Sequence, residues 1–254
     1  MNTRIALITA LLLGCHSLKA TGGAEKLPPS SALNPNERFF TTFGYGFSIP
    51  KYNSLNYVIG RYNGTRPNII EPMGRIVVLG GFNLSVGSTN DNYILEFSYS
   101  QRGAKARGVD SQQGYTITRH VTVRSNLLGA GLSTKFYQKG RFKLYAGGSI
   151  NFGYQNFYSR TYRSIDVQKP LLTKVGTGDL QLGITVAPQV HFLLDKAGRM
   201  RVVAKPYLFI EFLEAYYGDL NKTLNPTTYI QDNNNSLYNR PWAAGLEVKF
   251  YIAF

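Results

Sequence analysis

The chain has 254 residues, with 28 basic against 14 acidic side chains, a formal net charge of +14 and a single cysteine, Cys15. One cysteine excludes a disulfide framework and a thiolate metal centre. Outside the first twenty or so residues no apolar run approaches the roughly 20 residues of a membrane helix, which excludes a helical membrane protein; the positive excess calls for an anionic neighbour.

Residues 1–20 read as a secretory signal peptide. Arg4 is the positive n-region, Ile5 to Gly14 (IALITALLLG) the apolar h-region, and small residues follow; a cut after Ser17, Ala20 or Gly22 fits. Leu12-Leu13-Gly14-Cys15 loosely resembles a lipoprotein cleavage box, but the second leucine fits poorly. The plainer reading is a cysteine discarded with the signal. After export, lipid headgroups or acidic polysaccharide are the expected anionic neighbours, and nucleic acid is not. Residues 21–38 hold Pro28, Pro29 and Pro35 and read as an extended periplasmic lead-in.

Residues 39–254 carry eight segments whose apolar side chains recur at every second position, the period of a strand with one greasy face. They run over Phe39–Ile49, Arg75–Gly87, Tyr93–Arg102, about Arg119–Tyr137, Arg141–Phe157, Asp179–Asp195, Met200 to roughly Tyr217, and Pro241–Phe254. The last is the cleanest. Trp242, Ala244, Leu246, Val248, Phe250, Ile252 and Phe254 alternate with small, charged or hydroxylated residues, and the sequence stops on that strand. Short turns (Ser88–Asn92, Gln138–Gly140, Lys196–Arg199) alternate with long loops (Pro50–Gly74, Gly103–Thr118, Tyr158–Gly178, Gly218–Asn239). That alternation suits a chain threaded repeatedly through a membrane, and a Greek-key sandwich gives no reason for it. Pro188 and Pro206 fall inside the sixth and seventh segments; each removes a ladder donor, so a bulge at each, or a bend near the rim, is expected.

A membrane-spanning sheet must close, because no backbone group can stay unpaired in hydrocarbon. The expected fold class is therefore all-β: a closed antiparallel up-and-down eight-stranded transmembrane β-barrel, whose interior is only wide enough for side chains. Glu96, Lys135, Arg141, Lys143, Asp179, Arg201, Lys205, Glu211, Glu247 and Lys249 lie in the polar phase, and a mixed ionic network filling the lumen is expected of them, so an open pore is not.

The signal, the eight amphipathic strands, the alternation of turns and loops, and Phe254 in phase with Ile252 and Phe250 together resemble the small outer-membrane β-barrels of Gram-negative bacteria, the OmpA/OmpX-like class. The resemblance implies a cell outer-membrane location, contact with lipopolysaccharide, and recognition of Phe250, Ile252 and Phe254 by the barrel-assembly machinery.

The loops offer further candidates. Leu55–Pro67 is unusually apolar for an exposed loop and reads as a helix or strand folded over the barrel mouth. It is either a self-packed cap or a partner contact through Tyr57, Arg61, Tyr62 and Arg66. The basic second and third loops offer Arg107, Arg119, Arg160 and Arg163, whose guanidinium forks suit lipopolysaccharide phosphates. His120 and His191 have no serine placed as a nucleophile beside them, and no glycine-rich phosphate loop or metal-ligand set is visible, so neither an enzyme nor a cofactor is expected. The functional reading is a structural, binding or complex-docking barrel. The alternatives are an accessory subunit of an outer-membrane secretion or uptake complex, a lipid-A-modifying enzyme, and a soluble lipocalin-like carrier.

Overall fold

The computed structural model of the protein describes residues 38–90, 92–112, 114–164, 171–226 and 237–254. The expected signal segment and lead-in up to residue 37 lie outside the described residues. In chain order the elements are β1 (Arg38–Pro50), α1 (Asn53–Gly64), β2 (Ile69–Glu71), β3 (Leu79–Thr89), β4 (Tyr93–Gln112), β5 (Tyr115–Lys139), β6 (Phe142–Ser164), β7 (Leu171–Leu193), β8 (Met200–Glu211), β9 (Ala215–Tyr216), α2 (Gly218–Leu224), β10 (Tyr238–Asn239) and β11 (Trp242–Ala253). None of the described helices is long and apolar enough to cross a membrane.

The eight long strands β1, β3–β8 and β11 each pair antiparallel with their chain neighbours. The first and last close the ring, from Phe40 opposite Ala253 to Pro50 opposite Ala243. Alternation then decides the faces. On β11, Leu246 and Val248 are 42% and 48% exposed, whereas Glu247 and Lys249 are 8% and 3% exposed. Phe43, Phe47, Leu84, Phe97, Leu132, Ile150, Phe152 and Val186 extend the same exposed apolar surface around the cylinder. A closed sheet with a greasy exterior and a polar interior is a membrane-spanning barrel, because every backbone group is paired within the wall and the outside matches hydrocarbon.

The periplasmic turns are tight. Gly140 and Gly198 adopt φ of 57° and 66°, the left-handed region that favours glycine, and reverse the chain between β5 and β6 and between β7 and β8. Between β3 and β4 the Asn90 side chain does the same work, its Oδ1 accepting from the backbone N–H groups of Asn92 and Tyr93 at 2.8 and 2.9 Å.

The prolines behave differently from the sequence expectation. The β7–β8 ladder runs from Gly183–Glu211 to Val186–Leu208 and resumes at Val190–Ala204 without a change of register. Pro188 and Pro206 therefore face one another across a short gap, and neither sits on a bulge. Placing both missing donors at the same rung confines the loss of pairing to one seam and leaves the register intact.

The second and third long loops are also corrected. β4 and β5 continue upward as a paired hairpin as far as Gln112 opposite Tyr115, and β6 and β7 continue to Tyr162 opposite Leu171. The reason is an inversion of the hydrophobic phase. In the membrane the outward positions are apolar and the inward ones polar. Above it the inward residues Ala106, Val121, Val123 and Phe157 are buried and apolar, while Arg107, Arg124 and Arg160 face outward. The strands do not end at the membrane surface; their surroundings exchange.

The inward face of this raised sheet is covered by a cap. In α1 the residues Leu55, Val58, Ile59 and Tyr62, spaced as one helix face, are fully buried against the strands. Each contributes about 1.5–3 kcal/mol of burial. Asn56 and Asn63, two turns apart, hold the irregular segment leading to β3: Asn56 exchanges two hydrogen bonds with the backbone of Ile76 (2.9 and 3.1 Å), and Asn63 does so with Met73 (2.8 and 3.0 Å). α2 adds Leu220 and Leu224, and its Asn225 side chain donates to the Val58 carbonyl. Of the two readings of Leu55–Pro67, the self-packed cap accounts for its apolar face.

Candidate functional site

The lumen is lined by the inward residues of the eight long strands, and its ionic cluster is carried by β3, β4, β8 and β11. Glu96 on β4 accepts from Lys249 at 2.7 Å, Lys205 at 3.1 Å and the Ser85 hydroxyl at 2.6 Å. Glu247 pairs with Lys249 at 3.1 Å and with Arg102. All five charged side chains are no more than about a tenth exposed, so the contacts are nearly unscreened by water. Four of these residues belong to the network expected from the alternation. Arg102, the last residue of the third segment, is the member not expected: it stands where the membrane phase ends, and its inward parity is the available signal.

The other expected members are elsewhere. Lys135 donates to Gln138 (3.3 Å) near the periplasmic rim, and Arg141 and Lys143 also stand at that end. Glu211 lies high in the lumen, accepting from Gln181 at 3.2 Å, with no cation in ion-pair range among the described residues. These four are not part of the ionic cluster, because its strands are staggered and like-phased charges fall at different depths. Nearer the periplasm, Phe40 stacks on Tyr251 (4.7 Å), and Tyr251 in turn lies beside His191 and under the Arg201 guanidinium (4.5 Å). Three of the spaces between lumen side chains measure about 20, 30 and 10 Å³, room for no more than isolated waters.

The expected loop contacts divide. Tyr62 is fully buried, sandwiched by the Arg66 and Arg119 guanidiniums at 4.6 and 5.7 Å from its ring centre. Burial, with Asp110 behind it, pushes its phenol above the ordinary range. Arg66 is tied to Asp110 (3.2 Å) and to the Leu224 carbonyl (2.7 Å). Tyr62, Arg66 and Arg119 therefore lock the cap onto the sheet and are not surface contacts: the helix turns Tyr62 inward, and Arg119 has inward parity on β5. Tyr57 is 47% exposed on the outer side of α1, Arg61 lies in its last turn, and Arg163 covers the Tyr115 ring near the hairpin tip. Arg107 pairs with Glu71 at 2.8 Å, both half-exposed, and Arg160 points outward.

His191 is bonded to Gln189 Oε1 (3.1 Å) inside the wall, whereas His120 is on its outer face against Tyr162. No group of three or more His, Cys, Asp or Glu side chains placed to hold a metal occurs among the described residues. Phe250, Ile252 and Phe254 line up on the lipid side of β11; Phe250 packs on Phe43 (5.6 Å), and Phe254 is 74% exposed.

Together these features define the class: an integral β-barrel protein of the outer-membrane type, eight-stranded, with a filled lumen and a folded cap. No protein-family model and no curated protein matches the sequence. Solved structures similar to it include Ail, the attachment invasion locus protein of Yersinia pestis, in complex with the heparin analogue sucrose octasulfate, at 10% identity over 86% of this chain and 99% of that one with a TM-score of 0.41. Neisserial surface protein A is 9% identical over 85% and 97% with a TM-score of 0.41. The outer membrane protease OmpT from Escherichia coli is 12% identical over 87% and 98% with a TM-score of 0.37. At such scores the fold assignment rests on the strand pairing itself.

Proposed function

We propose that this outer-membrane barrel is a non-conducting, non-enzymatic platform that binds or docks in the cell envelope through its raised sheet and cap. The observation that carries this reading is the coupling of a charge-filled lumen to a packed cap. The Glu96–Lys205–Lys249–Glu247–Arg102 cluster fills part of the barrel interior with buried, paired charge, and α1 and α2 bury an apolar core against the raised sheet. A wall that conducts nothing but supports an ordered external domain serves recognition better than transport. Partners consistent with this reading are outer-leaflet lipopolysaccharide, a larger envelope complex, and during biogenesis the barrel-assembly machinery acting on Phe250, Ile252 and Phe254.

The test is reconstitution in planar bilayers together with crosslinking in intact cells. Ion flow through single barrels should be absent, and crosslinks from the exposed side of α1, at Tyr57, should capture envelope neighbours. A stable open conductance would sink the reading. Altered lipid A that reverts on joint replacement of His120 and His191 would favour an enzyme instead.

A further inference from the structure

We infer that the outward face of β4–β7, just above the apolar belt, is a binding site for the phosphate groups of an outer-leaflet glycolipid of the lipopolysaccharide type; this rests on the reading of the barrel as an outer-membrane platform and deepens it. Strand pairing sets the site out in rows. Gly103, Arg124, Asn156 and Gly178 are successive partners across the four strands. Above them come Lys105, Thr122, Tyr158 and Gly176, then Arg107, His120, Arg160 and Lys174. Because the rows are in register, their side chains rise from one surface. They enclose a concavity of about 440 Å³, walled by Lys105, Arg124, Arg160 and Lys174 with Thr122 and Tyr158 between them. The glycines at 103, 176 and 178 leave its edges open.

Charge is one-sided here. Glu71 neutralises Arg107 from the rim, but among the described residues no carboxylate is within ion-pair distance of Lys105, Arg124, Arg160 or Lys174. All four are exposed, and such a cluster has its natural counterpart in multiply charged phosphate. Tyr158 and Thr122 add hydroxyls suited to sugar.

Position selects the occupant. On β5 the lipid-facing row Phe136, Leu132, Leu128 continues along the same face into Asn126 and Arg124. Arg124 is four residues beyond Leu128, which at about 3.4 Å per residue and a tilt of about 40° puts it about 10 Å higher, at headgroup depth. The site also faces sideways along the membrane. A molecule held there stands beside the wall with its apolar part against the belt below, as a lipid does.

The purified full barrel in detergent micelles should be titrated with bisphosphorylated lipid A and its dephosphorylated form, with inorganic phosphate and a heparin oligosaccharide as competitors, bound copies being counted by native mass spectrometry. Lipid A should bind at least about tenfold more tightly than its dephosphorylated form. The combined variant Arg124→Gln, Arg160→Gln, Lys174→Gln should lose about tenfold or more in affinity yet keep its heat-dependent gel mobility. Lys139→Gln with Lys196→Gln at the opposite rim should leave binding unchanged. Equal binding of both lipid forms, an unaffected triple variant, full displacement by inorganic phosphate at matched phosphate concentration, or tighter binding of the heparin oligosaccharide would each overturn the assignment. A closed barrel that fails to bind lipid A refutes this site alone, whereas a conducting barrel that binds it refutes the platform reading alone.

Discussion

Replacing Glu96 by glutamine removes one charge and leaves two cations behind. Among the described residues Lys205 has no other carboxylate in ion-pair range, while Lys249 keeps Glu247 at 3.1 Å. Breaking a buried ion pair on one side costs about 3–5 kcal/mol. Glu96 and its partners are at most about a tenth exposed, so solvent gives little relief. The retained Glu247 contact and the amide's remaining hydrogen-bonding capacity place the expected loss at the lower end, about 3 kcal/mol. Urea unfolding in phospholipid vesicles measures it. Trp242, the only tryptophan, lies 44% exposed at the outer end of β11 and reports loss of the wall by its fluorescence. Adding Lys205→Met to the variant removes the stranded cation and should restore about half of the loss. A loss below about 1 kcal/mol, or no recovery in the double variant, would refute the argument that this cluster is a desolvated, mutually dependent unit.

Other outcomes follow from other parts of the fold. Val248→Arg places a charge on the lipid face in mid-strand and should cost about 2–4 kcal/mol in the same vesicle titration. Leu55→Ala should loosen the cap by about 2–5 kcal/mol of lost packing, seen as faster protease cleavage within residues 53–76, with barrel mobility on gels unchanged. Amide hydrogen exchange should be faster at 186, 190, 204 and 208, whose donors flank the rung that the paired prolines leave open, than at 184 and 210 farther along the same seam. An added Cβ at Gly44 would stand 2.2 Å from the Val248 carbonyl oxygen, so Gly44→Ala should lower stability by more than about 1 kcal/mol in urea.

Much of the wall was legible in the sequence because lipid imposes one rule on every crossing. Phe43–Phe47, Leu95–Tyr99, Leu128–Leu132 and Leu246–Phe250 each show the two-residue period without help from neighbours. Turn residues such as Asn90, Gly140 and Gly198 mark the periplasmic reversals locally, through their own backbone or side-chain chemistry. The ionic lumen was partly legible for the same reason: parity says which side a charge faces.

Parity does not say at what depth. Glu96, Lys205 and Lys249 meet because strand stagger brings them level, whereas Lys135 and Lys143, equally inward on paper, end near the rim. The same limit hid the raised sheet. From Arg102 to Asp110 the chain keeps the strand period but exchanges its faces, and a reader following one greasy side sees the pattern end. Only the assembled molecule shows that α1 and α2 supply a second apolar surface inside, while water replaces lipid outside, so that one continuous strand satisfies two opposite rules in succession.

Alternation alone thus determined a closed, lipid-embedded wall with charges turned inward, because unpaired backbone and exposed charge are both intolerable in hydrocarbon. Which charges touch, where Pro188 meets Pro206, and that Tyr62 is enclosed while Arg124 and Arg160 share a face were decided by register and stagger. Those are relations between strands far apart in the chain, and no local pattern encodes them.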